Sequence, residues 1–154
     1  MSAWRQLRAI GPLPFTAAVA VPAIIVSTVE PRVEWWRVLI GLAPIAAGLT
    51  LAYRTISLFA RVGEGTLAPW DPPRKLVVEG PYRRWRHPMI SGVALILTGE
   101  AIALWTAPMA IWLAAFVAVN AVYLPLVEEP RLVRRFGSDY EEYRDRVPRF
   151  LPRL

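Results

Sequence analysis

Four apolar runs, residues 12–29, 38–60, 89–106 and 109–127, decide what this chain can become. The first holds 18 residues without a charge, and the last is also uncharged. A bilayer core needs roughly 20 predominantly apolar residues in helical form, so each run is an expected span. With 55% hydrophobic residues and a mean hydropathy of +0.36, the chain is too apolar for an ordinary water-soluble domain. The expected fold is therefore all-α and integral to a membrane, a single domain over residues 1–154. Gly41, Gly48, Gly92 and Gly99 fall inside the second and third runs. Small residues there let membrane helices approach closely.

The polar segments set the orientation. Lysine and arginine concentrate in the N-terminus (Arg5, Arg8), in the loop from Arg61 to His87, and in the tail after Glu128. The turn at Ala107-Pro108 has none, and the loop at residues 30–37 has only Arg32 and Arg37. With four spans, the three basic segments lie on one side, which the positive-inside rule makes cytoplasmic. Both termini are then cytoplasmic, in a bacterial or archaeal inner membrane or an internal membrane. A cleaved signal peptide competes for the first run, but the run is long and no small-x-small site follows it. The formal charge of +6 is explained by this topology and by anionic lipid, so no nucleic-acid partner is expected.

Several chemistries are excluded. Cysteine is absent and histidine occurs once, which removes disulfides, thiol nucleophiles and zinc sites of the usual ligand sets. No metal is expected. Gly63-Glu64-Gly65 lacks the strand–helix context of a nucleotide fingerprint.

Two polar clusters remain. The first is Gly80-Pro81-Tyr82-Arg83-Arg84-Trp85-Arg86-His87-Pro88-Met89-Ile90. Pro88 suits the first position of a helix. Neutral His87 offers one donor and one acceptor. Tyr82, in a rigid turn, can contact a flat ligand, and Trp85 reads as an interface aromatic. The second cluster is Glu128-Glu129, at the end of a span, where the helix dipole disfavours carboxylates. An amine, a hydroxyl, or the Arg83–Arg86 run must answer them. Arg54 and Glu100 lie inside spans, where a charge is costly unless it is paired or functional. They are either candidate catalytic residues, together with Glu129, or a mutual ion pair. In the tail, Leu132, Phe136, Tyr140, Tyr143 and Val147 repeat at helical spacing. That predicts one amphipathic helix, bent at Gly137, lying on the membrane or capping the loop.

The ordered set Gly80-Pro81-Tyr82, Arg86-His87-Pro88, Gly92, Gly99, Glu128-Glu129, Leu132, Phe136-Gly137, Tyr140, Tyr143 and Val147-Pro148 resembles the integral-membrane methyltransferases. These include isoprenylcysteine carboxyl methyltransferase and the phospholipid N-methyltransferases. The resemblance implies S-adenosylmethionine as cofactor. It also implies a cofactor site built from Arg74, Lys75, Leu76, Val77, Tyr82, His87, Pro88, Met89, Ile90 and Glu128, with Glu129 able to stand in for Glu128. The acceptor would be a lipophilic small molecule, lipid or isoprenoid-like, and membrane lipids would be the other partner. Ile90 stands where the family usually has Tyr, which removes a hydroxyl. Leu124 stands where the prenylcysteine enzymes have an Arg, which tilts the acceptor toward an uncharged or amine-bearing lipid. Two rival expectations are a four-helix transporter built on Glu100 and a family member without activity.

Overall fold

The structure is a computed structural model that describes residues 11–62 and 75–149. Arg74 and the Gly63-Glu64-Gly65 stretch lie outside the described residues. All regular structure among the described residues is helical. Gly11–Ala20 runs in π-helical geometry into α1 (Val21–Thr28), with Pro22 at the start of the α segment. A proline that lacks its N–H perturbs the turn before it, and a widened turn is one way to absorb that. Helix α2 spans Trp35–Val62, α3 Pro88–Leu104 and α4 Ala107–Tyr123. A π turn, Leu124–Glu128, joins α4 to α5 (Glu129–Phe136), and α6 spans Ser138–Arg146.

Two of these helical stretches are long and apolar enough to cross a bilayer: Trp35–Leu58 and Ala107–Phe136. The apolar helices Pro14–Thr28 and Pro88–Leu104 are shorter.

Three boundaries differ from expectation. Trp35-Trp36 open α2 rather than lying in the loop before it. The turn between α3 and α4 is Trp105-Thr106, not Ala107-Pro108. Trp105 takes a left-handed conformation (φ 47°), and the Thr106 side chain accepts from the Met109 N–H at 3.4 Å. Pro108 therefore sits in the first turn of α4, where its missing N–H costs nothing. The tail, expected as one helix, is two. Gly137 at φ 57°, ψ −135° breaks it, and α5 continues the membrane helix instead of belonging to the tail.

The helices α2 and α3 pack antiparallel through their glycines. A Cβ built on Gly41 would stand 2.5 Å from the Gly99 carbonyl oxygen, and one on Gly48 would stand 2.5 Å from that of Gly92. The two contacts are seven residues apart on each helix, two turns, so one glycine face meets another. Leu97, Val93 and Met109 fill the core between α3, α4 and the first helix. Trp112 Nε1 donates to the Ala17 carbonyl at 3.0 Å and ties that first helix to α4. At the Trp105 end of the bundle the Arg37 guanidinium lies 4.6 Å from the Trp105 ring centre and 5.0 Å from that of Trp36.

At the other end the tail caps the loop. Tyr140, Tyr143 and Val147 are buried and pack with Leu132, Val133, Phe136, Leu76 and Tyr82. The expected apolar face of the tail is thus real, but a glycine hinge assembles it from two helices. Leu76-Val77-Val78 forms no strand; Val77 is buried in an irregular run.

Candidate functional site

The turn before α3 is built by local chemistry. Gly80 takes φ 55°, a conformation that a side chain disfavours, and Pro81 fixes the next φ. Gly80–Arg83 closes as a 3₁₀ turn, with the Tyr82 N–H on the Glu79 carbonyl at 3.1 Å and the Arg84 N–H on that of Pro81 at 3.0 Å. Such a tight turn sends consecutive residues to different sides. Tyr82, Arg86 and His87 face the tail and α5, whereas Arg83, Arg84 and Trp85 line a cavity against α2. The tail locks onto the first side: Tyr143 donates from its hydroxyl to the Tyr82 carbonyl at 2.8 Å, and the Arg86 N–H donates to the Pro148 carbonyl at 3.0 Å.

The His87 imidazole lies at the N-cap of α3 and is 6% exposed. Its Nε2 is 3.4 Å from Glu129 Oε1, and its Nδ1 is 3.8 Å from Glu128 Oε1. Glu129 is 4% exposed and fully engaged. Arg149 holds it in a fork, Nε to Oε1 at 2.7 Å and Nη2 to Oε2 at 2.9 Å, and Arg86 Nη1 reaches Oε1 at 2.9 Å. Glu128 is more open, with 38% of its side chain exposed. The π turn through Pro125 places these adjacent glutamates, and π turns recur at functional sites.

Electrostatics sort the cluster. Burial pushes the His87 pKa down to about 4, which outweighs the pull of Glu129, while Arg86 and Arg149 add to the depression. The imidazole is therefore neutral at pH 7. With its Nε2–H directed at Glu129, Nδ1 is left as an acceptor facing a second acceptor, Glu128. Two acceptors 3.8 Å apart favour a donor group placed between them. Burial also raises the Tyr140 hydroxyl to about 12, and the hydrogen bond with Glu129 raises Arg149. A cavity of about 900 Å³ opens beside the cluster, bounded by Arg86, Pro125, Glu129, Val133, Asp145 and Arg149. That is the size range of small-molecule and cofactor sites.

The expected residues divide. Leu76, Tyr82, His87, Glu128 and Glu129 come together at this end. Pro88 is buried, and Met89 and Ile90 are half-buried in the first turn of α3. On either side of Leu76, Val77 is buried and Lys75 is exposed. Glu100 is not brought to the cluster: it lies thirteen residues along α3 from His87, roughly 20 Å at 1.5 Å per residue. Arg54 is near the His87 end of α2 but lines the cavity on the other side of the turn. Arg54 and Glu100 form no ion pair, because the antiparallel register that matches Gly48 with Gly92 puts them at opposite ends. Glu100 Oε2 is buried without a hydrogen-bond partner among the described residues.

The Arg83–Arg86 run was expected as one possible partner of the glutamates, and Arg86 is the member that reaches Glu129. Arg149 was not expected as a site residue. Arg149 had one usable signal, its place just after Val147-Pro148, where the tail helix must turn back. A buried glutamate next to a second glutamate calls for cations, but the tail offers seven arginines, so sequence alone does not single out Arg149.

A family model described as phospholipid methyltransferase matches residues 36–139, from the start of α2 into α6. No curated protein and no solved structure matches the chain.

Proposed function

Because the chain belongs to the phospholipid methyltransferase family, we propose that it transfers a methyl group from S-adenosylmethionine to a lipid acceptor at a membrane surface. The observation that carries this reading is the meeting of His87 with Glu128 and Glu129 across the α3–α4 hairpin, beside a cavity of cofactor size. In this reading all four apolar helices are spans, in one domain. The His87 end is the cytoplasmic face, the side to which lysines and arginines are biased.

The residues fit the donor molecule. Its ammonium and ribose hydroxyls are donors, and Nδ1 of His87 with Glu128 Oε1 is a pair of acceptors that lacks a donor among the described residues. His87 thus serves as an acceptor. The arginines on the cavity rim, Arg134 and Arg144, suit that carboxylate. The resemblance puts Leu76 and Tyr82, with Lys75, Val77, Pro88, Met89 and Ile90, around the adenine. Glu129, locked by two arginines, is a positioning residue: it sets the His87 tautomer and pins the tail. When bound, the cofactor supplies a methyl group activated on a sulfonium. The protein's part is alignment and exclusion of water, both done by the tail that closes over the turn.

Incubation of the protein in lipid nanodiscs with methyl-labelled S-adenosylmethionine tests this. Label is expected in the lipid fraction and not in the protein. Absence of labelled lipid across amine-bearing and uncharged lipids, with cofactor binding intact, would favour a family member without activity.

A further inference from the structure

The turn's other side carries a second site. A cavity of about 580 Å³ lies between the C-terminal third of α2 and the Gly80–Trp85 segment. Four arginines line it, Arg54 and Arg61 from α2 and Arg83 and Arg84 from the turn. Among the described residues no carboxylate lines it and none of the four forms an ion pair there. Among the same residues only Arg61 Nε is committed, donating to the Ser57 carbonyl at 3.2 Å. The Trp85 indole N–H, in the same wall, is buried without a hydrogen-bond partner among the described residues. Four like charges around one cavity repel, and a buried donor without an acceptor costs free energy. Both costs are relieved by one ligand type: a compact anion with several acceptor oxygens.

We propose that this cavity binds the phosphate of a membrane lipid headgroup. Guanidinium forks match phosphate oxygens in geometry as well as charge. The lipid source follows from the rest of the wall. Leu51 and Leu58 lie on α2, a helix long and apolar enough to cross a bilayer, and Tyr53 beside them is 71% exposed. A phosphate held by the arginines leaves its acyl chains along that apolar face. The site is separate from the His87–Glu128–Glu129 cluster, since Tyr82 and Arg86 point the other way from the same turn. The proposal does not depend on methyl transfer, and binding alone tests it.

The test uses the full chain in detergent micelles, with retained lipid counted by native mass spectrometry. The probes are phosphatidylglycerol, phosphatidylcholine, an uncharged diacylglycerol, and water-soluble glycerol 1-phosphate. The variants are Arg83→Gln/Arg84→Gln and Trp85→Phe, with Arg135→Gln/Arg146→Gln as a control that removes the same charge from the tail. Both phospholipids should bind and diacylglycerol should not. The Arg83/Arg84 double variant should lose about tenfold or more in affinity for both, and Trp85→Phe a few-fold, because charge-assisted bonds outweigh neutral ones. The tail control should change affinity less than about twofold. Equal losses in the two double variants would reduce the effect to general attraction and overturn the site. So would retention of diacylglycerol as strongly as of the phospholipids. Glycerol 1-phosphate binding as tightly as the lipids would assign the cavity to a soluble phosphate ester and overturn the lipid assignment.

Discussion

His87 Nε2 lies 3.4 Å from Glu129 Oε1, although 42 residues separate them in the chain. The separation is spanned by α3, the Trp105-Thr106 turn and α4, so the contact exists only if that hairpin returns to its starting end. The same carboxylate meets Arg86 from the turn and Arg149 from the tail. One buried acid thus fastens three distant segments.

The two glutamates should therefore fail differently. Glu129→Ala leaves Arg86 and Arg149 charged without their acid, and breaking a buried pair in this way costs about 3–5 kcal/mol. Thermal unfolding in detergent should show a large loss of stability, together with protease sensitivity after Val147. Glu128→Ala, at a more open side chain, should leave the melting temperature nearly unchanged and weaken S-adenosylmethionine binding. A loss of stability equal to that of Glu129→Ala would contradict the assignment.

Acid should destabilise the protein through His87. Its pKa is lowered from 6.5 to about 4 on folding, chiefly by burial. Between those values the unfolded chain binds a proton that the folded one does not, so stability rises with pH across the window. The contribution is fully present above about pH 6.5 and is lost as pH falls through about 4. It amounts to as much as about 3 kcal/mol. The imidazole is faced by Glu128, Glu129, Arg86 and Arg149. The difference between wild type and His87→Gln reads the loss of the imidazole in that setting. Parallel profiles of melting temperature against pH would refute it.

The glycine face between α2 and α3 should not accept a methyl group. Gly48→Ala sets a Cβ 2.5 Å from the Gly92 carbonyl oxygen, and overpacking of this kind costs about 1–3 kcal/mol. Gly137→Ala is a contrasting case: nothing lies within 4 Å of its Cβ, yet its φ of 57° disfavours a side chain. It should cost a similar amount through backbone strain alone. Both effects are read as shifts in melting temperature, and a neutral Gly48→Ala would mean that the helices can separate at no cost.

Glu100 gives a discriminating case. At roughly 20 Å along α3 from His87 it should not touch the cofactor, so Glu100→Gln should leave the affinity for S-adenosylhomocysteine unchanged. A transporter built on Glu100 predicts instead that lipophilic cations stabilise the wild type and not this variant. Thermal shifts with the two ligand classes decide between them.

Much of this architecture could be read from residues. The apolar runs, the glycines of α2 and α3, the role of Pro88 and the helical face of the tail all follow from local periodicity and steric rules. The juxtaposition of His87 with Glu128-Glu129 also followed, because a hairpin of two apolar helices has one geometric outcome. Other features depend on tertiary balance. Pro108 and Gly137 each permit two readings, a break or a helix start in one case and a bend or a full hinge in the other. Only the surrounding packing chooses. The division of labour between Glu128 and Glu129 was invisible because it depends on Arg149, which arrives from beyond that hinge. The register separating Arg54 from Glu100 likewise came from the glycine contacts, not from any pattern around either charge.

The socket formed by His87 and Glu128 is tested most directly by calorimetric titration of S-adenosylmethionine into the wild type, His87→Ala and Glu128→Ala in the same detergent. Each lost hydrogen bond to a charged group is worth about 1.5–3 kcal/mol, so both variants should bind roughly tenfold or more weakly while remaining folded. Unchanged affinity in both folded variants would contradict it.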